Sequence, residues 1–120
     1  MEDNKKAVLV INEGPGSMKA LNALRLAAGL IGADLEVEVF LLDSGVYLGK
    51  TGQNMPQGMT ELDSASKLSE LMNLGAKVSA CRTCLEMMGV KSEELLEGIN
   101  ISSVAILAEL IKESDQALVF

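Results

Sequence analysis

Two cysteines, Cys81 and Cys84, stand three residues apart in "CRTC"; they are the only cysteines in the chain, which contains no histidine. A thiolate is a nucleophile, a metal ligand and one end of a disulfide. A C-x-x-C pair therefore serves sulfur exchange, dithiol redox chemistry or half of a zinc or iron–sulfur site. A four-thiolate metal site would need a second subunit or carboxylate ligands, because no further Cys or His exists. No metal and no cofactor are expected. A Cys–His nucleophilic enzyme is excluded by the missing base. The plainest alternative is that both thiols are small apolar side chains used for packing.

The elements that must position this pair read as a single α/β domain over residues 1–120, a size at which the hydrophobic core needs no staples. "KAVLVIN" (Lys6–Asn12) is apolar on both faces, as a central parallel strand is. "EGPGS" (Glu13–Ser17) breaks the chain, and Ser17 caps a helix with Met18, Leu21, Leu24, Ala28 and Ile31 on its expected buried stripe. "DLEVEVFLL" (Asp34–Leu42) is a second strand. The segment Asp43–Glu61 is long for a connection and rich in Gly and polar residues, which marks a functional or mobile loop. Thr60 or Asp63 caps the next helix, striped by Ala65, Leu68, Leu71 and Met72. "AKVSA" (Ala76–Ala80) is a third strand, followed at once by "CRTC" and a short helix ending at Gly89. Ser92–Glu94 opens another short helix, and Ile99–Ile101 is a minimal fourth strand. Ser102 or Ser103 caps a helix striped by Val104, Leu107, Ala108 and Ile111, and Gln116–Phe120 is the fifth strand.

Strands alternating with helices imply a parallel sheet with right-handed crossovers. The expectation is a flavodoxin-like, doubly wound five-stranded parallel sheet with helices on both faces. Ligands bind such sheets beyond the carboxyl ends of the strands. That edge collects Asn12, Glu13, Asp43, Cys81 and Ser102, with Ser44 and Tyr47 in the loop placed to cover it. These polar positions are the candidate binding residues, and Cys81 is the candidate reactive thiol. At the start of a helix, free N–H groups and Arg82 favour its anion. Lowering an ordinary thiol pKa by about 1.5 units, roughly 2 kcal/mol, makes it half thiolate at neutral pH. Cys84, one turn on, is the candidate resolving thiol.

Other chemistry is less well supported. The formal charge of −7 repels phosphate backbones, and Phe40, Tyr47 and Phe120 are the whole aromatic set, so direct nucleic-acid binding is not expected. The shortage of aromatics also weakens a flavin site. "EGPGS" lacks both the G-x-G-x-x-G spacing and the P-loop lysine, and Glu13 would repel phosphate, so it reads as a tight turn. No apolar run is long enough to span a membrane, and "MEDNKK" has no apolar run behind its basic residues. The expected compartment is the cytosol, where a close cysteine pair is more often reactive than structural.

With these residues in view, the chain resembles the DsrE/DsrF-like sulfur-relay family. The carriers of the resemblance are the loop and long helix after the first strand, "VFLLDSGV" (Val39–Val46), "GAKVSACRTCLEMMGV" (Gly75–Val90) and "LLEGINISSVAILAELIKESDQALVF" (Leu95–Phe120). Together they cover nearly the whole chain. The resemblance implies a flavodoxin-like fold and a homotrimer or homohexamer. It also implies that the cysteine after the third strand, here Cys81, accepts sulfane sulfur as a persulfide from a donor protein and passes it to an acceptor protein. Such a protein is a sulfurtransferase in a relay rather than an enzyme with a small-molecule product. Cys84 departs from the best-understood sulfur-transfer subunits, and so does the following "LEMMG", where the family's helix is often basic. The alternatives are an oligomeric module that binds a small ligand or partner without catalysis, and a Cys81–Cys84 dithiol redox protein.

Overall fold

A computed structural model describes residues 5–55, 58 and 63–120. The strands are β1 (Lys6–Ile11), β2 (Glu36–Leu41), β3 (Lys77–Cys81), β4 (Asn100–Ser102) and β5 (Gln116–Val119). They form one sheet in the order β4-β3-β2-β1-β5, every neighbouring pair parallel. The helices are α1 (Met18–Gly32), α2 (Ser64–Asn73), α3 (Arg82–Met88) and α4 (Val104–Glu113).

The strand order explains which face each helix covers. From β1 to β4 the chain steps always in one direction, so right-handed crossovers put α1, α2 and α3 on one face. The return from β4 to β5 crosses the sheet the other way and puts α4 on the opposite face. Two buried clusters follow. Ala7, Leu9, Ile11, Val39, Leu41, Val78 and Ala80 meet Ala23, Leu24, Leu68, Leu71 and Leu85 on the first face. Val8, Val10, Phe40 and Cys81 meet Leu107 on the second. Alternation along β3 therefore sends Cys81 towards α4, although α3 itself packs on the other side.

Two expected helix stripes are corrected. In α1 the buried residues are Ala20, Ala23, Leu24 and Ala27, while Met18 is exposed and Ala28 faces solvent. Alanines at this spacing let the helix axis approach the sheet closely, and the longer side chains flank the contact. In α4 only Leu107 is buried, with Leu110 partly so. Val104 is 58% exposed and Ile111 41%, and Ala108 also faces solvent. The helix rests on the central strands through Leu107, and no other helix described on that face flanks it, so the rest of its apolar surface stays open in one chain.

The caps settle other details. Ser17 accepts from Ala20 N–H, Asp63 from Ala65 and Ser66 N–H, and Ser103 from Ile106 N–H. Thr60 lies outside the described residues. Gly89 closes α3 with a left-handed φ of 71°, a conformation glycine adopts without steric cost.

The expected open loop after β2 is also corrected. Asp43–Gly49 is a 3-10 helix, with Val46 and Leu48 buried. Beyond it, Lys50 forms a bridge to Leu95, and Thr51 N–H and Leu96 N–H donate to Glu94 and Gly49 carbonyls. The Gln53 amide reaches Lys50 O at 2.9 Å and Ser64 Oγ at 2.9 Å. Gly and polar residues serve here as turn and tether from Asp43 to Gln53, while residues 56, 57 and 59–61 of the expected loop lie outside the described residues. Among the described residues no helix is long and apolar enough to cross a membrane.

Candidate functional site

Cys81 ends β3 and is also the N-cap of α3. Its backbone is extended, and its Sγ accepts from Cys84 N–H at 3.4 Å. In this role a cysteine stands where Ser, Thr, Asp or Asn is usual. A good cap has been replaced by a softer acceptor that is also a nucleophile. Burial separates the two thiols: Cys81 is 2% exposed, whereas Cys84 is only partly covered. Cys84 Sγ accepts from Asp43 N–H at 3.2 Å. Each sulfur thus faces one backbone N–H, and the two cysteines lie on successive corners of one helical turn.

The 3-10 helix after β2 holds this arrangement from above. Asp43 takes a left-handed φ of 50°, which Asp tolerates better than bulkier residues. At the other end, Tyr47 Oη donates to Met88 O at 2.8 Å, on the last turn of α3. Both ends of α3 are therefore tied to the same segment. Losing the Tyr47 hydroxyl leaves a partly buried carbonyl without that donor, so Tyr47→Phe is expected to lower stability by about 1 kcal/mol. A denaturant midpoint equal to that of the wild type would show that the bond contributes nothing.

The other candidates divide in two. Ser102 lies directly across the ladder from Cys81 and lines a surface hollow of ≈ 370 Å³ with Arg82 and Thr83. Ser44 Oγ donates to Asp43 Oδ1 at 3.4 Å and helps set the turn. Asn12 and Glu13 are occupied elsewhere. Asn12 Nδ2 donates to Phe120 O at 3.1 Å and ties β1 to β5. Glu13 Oε1 accepts from Ser17 Oγ at 3.2 Å, beside the α1 cap. Arg82 is exposed and makes no hydrogen bond to either sulfur among the described residues; it lines a second hollow with Glu86, Lys91 and Glu93. Sequence reasoning missed Phe40 and Leu107 as the apolar wall around Cys81. The period-2 pattern of β1 and β2 held the signal for that face, but not for which helix covers it.

Burial and the hydrogen bond with Cys81 push the Cys84 thiol above its ordinary range, and the Asp43 N–H offsets only part of this. A raised pKa keeps the proton on Cys84 at neutral pH. Alkylation of Cys84, followed by peptide mapping, should therefore be slower than that of free cysteine near pH 8. It should keep rising beyond the range near 8.5 where a free thiol begins to level off. A plateau at or below that range would contradict the assignment.

A family model described as the DsrE/DsrF-like family matches residues 5–120. An uncharacterised protein of Methanopyrus kandleri is 35% identical over 113 residues, covering 93% of this chain and 91% of that protein. Protein YchN of Escherichia coli is 30% identical over 119 residues, covering 97% and 99%. The crystal structure of YchN from E. coli superposes with a TM-score of 0.86 at 27% identity, over 98% of this chain and 100% of that one. A protein of unknown function from Methanobacterium thermoautotrophicum shares the fold, with a TM-score of 0.72 at 21% identity, over 98% and 100% of the two chains.

Proposed function

This chain belongs to the DsrE/DsrF-like family, and we propose that it is a sulfur carrier that holds sulfane sulfur as a persulfide on Cys81 and passes it to a partner protein. One observation supports the reading most. Cys81 Sγ sits at the carboxyl edge of the sheet, faces the Cys84 N–H at 3.4 Å and neighbours a second thiol under a folded cover. Packing alone does not call for two adjacent thiols, each turned towards a backbone donor.

The chemistry uses only sulfur exchange. A thiolate of the site attacks the outer sulfur of a donor persulfide, and the donor leaves as its thiolate. The sulfur then resides as Cys81–S–SH, with its root sulfur facing the Cys84 N–H. An acceptor thiolate later takes the outer sulfur as a new persulfide, and the site is left as thiolate. If instead Cys84 attacks the Cys81 sulfur, a Cys81–Cys84 disulfide forms and hydrosulfide leaves. The apolar wall of Val8, Val10, Phe40 and Leu107 keeps water and small thiols from the stored sulfur.

Val104, Ile106, Ile111 and Val119 are 58%, 51%, 41% and 69% exposed. Their common location on α4 and β5 supports a homotrimer or homohexamer in which a second copy covers them.

The test is direct. Reduced protein is incubated with glutathione persulfide, desalted and weighed by intact mass spectrometry. The expected result is a species heavier by one sulfur, ~32 Da. A wild-type protein that gains no sulfur would sink the carrier reading and leave the ligand- or partner-binding module. A second reading, a dithiol redox pair, draws on the same closeness of the two thiols. It fails if the measured Cys81–Cys84 potential lies outside the range set by the glutathione pool.

A further inference from the structure

The sulfur that would store cargo is the one that a donor cannot reach. Cys81 is 2% exposed, enclosed by Val8, Val10, Phe40 and Leu107. The less buried of the two cysteines is Cys84, one helical turn along, and its sulfur lies at the Asp43 corner of the covering segment. We propose that Cys84 is the port: it takes the sulfane sulfur from the donor at the surface and hands it inward to Cys81, where the sulfur is stored. This rests on the carrier reading and adds the order of events and a second catalytic residue.

Two exchanges make up the sequence. The minor fraction of Cys84 that has lost its proton to solvent attacks the outer sulfur of the donor persulfide. A Cys84–sulfur bond forms, the donor's sulfur–sulfur bond breaks, and the donor thiolate leaves and takes up a proton. Cys81, as thiolate once its own proton has been lost to solvent, then attacks the outer sulfur of Cys84–S–SH. A Cys81–sulfur bond forms, the bond to Cys84 breaks, and Cys84 leaves as thiolate. No net oxidation occurs, because one persulfide is consumed and one is made at each step.

The two backbone donors match the two charges. The Cys84 N–H faces the Cys81 sulfur when that sulfur carries the negative charge. The Asp43 N–H faces the Cys84 sulfur when Cys84 is expelled as thiolate. A backbone N–H aimed at a leaving anion stabilises it without reorganisation at the moment of transfer. Asp43 therefore acts as a positioning residue through its main chain, and its side chain is not required. The attack at the inner sulfur, which gives the disulfide and hydrosulfide, competes with inward transfer. It makes the same pair a means of discharge when no acceptor is present.

Timing separates this inference from the carrier reading itself. Wild-type protein is mixed with glutathione persulfide, quenched with an alkylating reagent at successive times and mapped by peptide mass. The extra sulfur is expected on Cys84 first and on Cys81 later. Sulfur that appears first on Cys81 overturns the port, whereas no sulfur on either residue overturns the carrier reading instead. In parallel, Cys84→Ser and Cys84→Ala are loaded with the same donor. Both should fill Cys81 about tenfold or more slowly than the wild type, with an unchanged thermal unfolding temperature as the control for folding. Filling of Cys81 at the wild-type rate in either folded variant overturns the port while leaving Cys81 as the carrier.

Discussion

Cys81→Ser is expected to lose retained sulfane sulfur almost completely while keeping the fold. After loading and a brief glutathione wash, the variant should hold less than about a tenth of the sulfur held by wild type. Any sulfur on Cys84 lies where the wash can remove it. The fold survives because serine is a strong N-cap, and its Oγ takes over the Cys84 N–H that the sulfur accepts in wild type. Cys81→Ala is the informative partner. It also carries no sulfur, and it leaves the Cys84 N–H without its acceptor, at a cost of about 0.5–2 kcal/mol. The two variants should therefore agree in sulfur retention and differ in denaturant midpoint. If Cys81→Ser retains as much sulfur as wild type, Cys81 is not the carrier.

Gly45→Ala is expected to cost about 3 kcal/mol, more than an ordinary surface change. Gly45 lies in the 3-10 helix directly against the end of β1. An added methyl group would fall inside the contact distance of the Ile11 carbonyl oxygen and close to its carbonyl carbon. That carbonyl accepts Leu42 N–H at 2.9 Å, the last rung between β1 and β2. It has no side-chain freedom with which to yield. Relief requires lifting the 3-10 helix off the strand ends, and the same helix carries both the Asp43 N–H on Cys84 and the Tyr47 hydroxyl on Met88. Besides the lower denaturant midpoint, faster alkylation of Cys84 should follow. A variant with wild-type stability and thiol reactivity would show that the cover does not depend on this close approach.

Gly45 also illustrates what was legible. "DSGV" was recognisable as a loop at the sheet edge, because Gly and polar residues interrupt the apolar run of β2. Its folding into a 3-10 helix against Ile11 was not, since that contact joins segments over thirty residues apart in sequence. The α1 stripe shows the same limit within one element. Two overlapping stripes share Leu24, one rich in large residues and one in alanine. Hydrophobicity favoured the first, and packing against the sheet buried the second, whose small side chains fit that contact. In α4 the expected stripe is apolar, but most of it faces outward in a single chain.

The amino-acid sequence by itself determined the alternation of strands and helices, the parallel sheet, and the position of Cys81 at a strand end that opens a helix. Each of these depends on local signals: apolar periodicity, capping residues and chain-breaking glycines. Only the tertiary structure decided which thiol is buried. The period of two along β3 turns Cys81 to the α4 face, while the helical turn that follows brings Cys84 back towards Asp43. That difference comes from the strand order β4-β3-β2-β1-β5 and from the packing of α4 and the 3-10 helix. These are contacts between distant segments, which no local pattern around "CRTC" encodes.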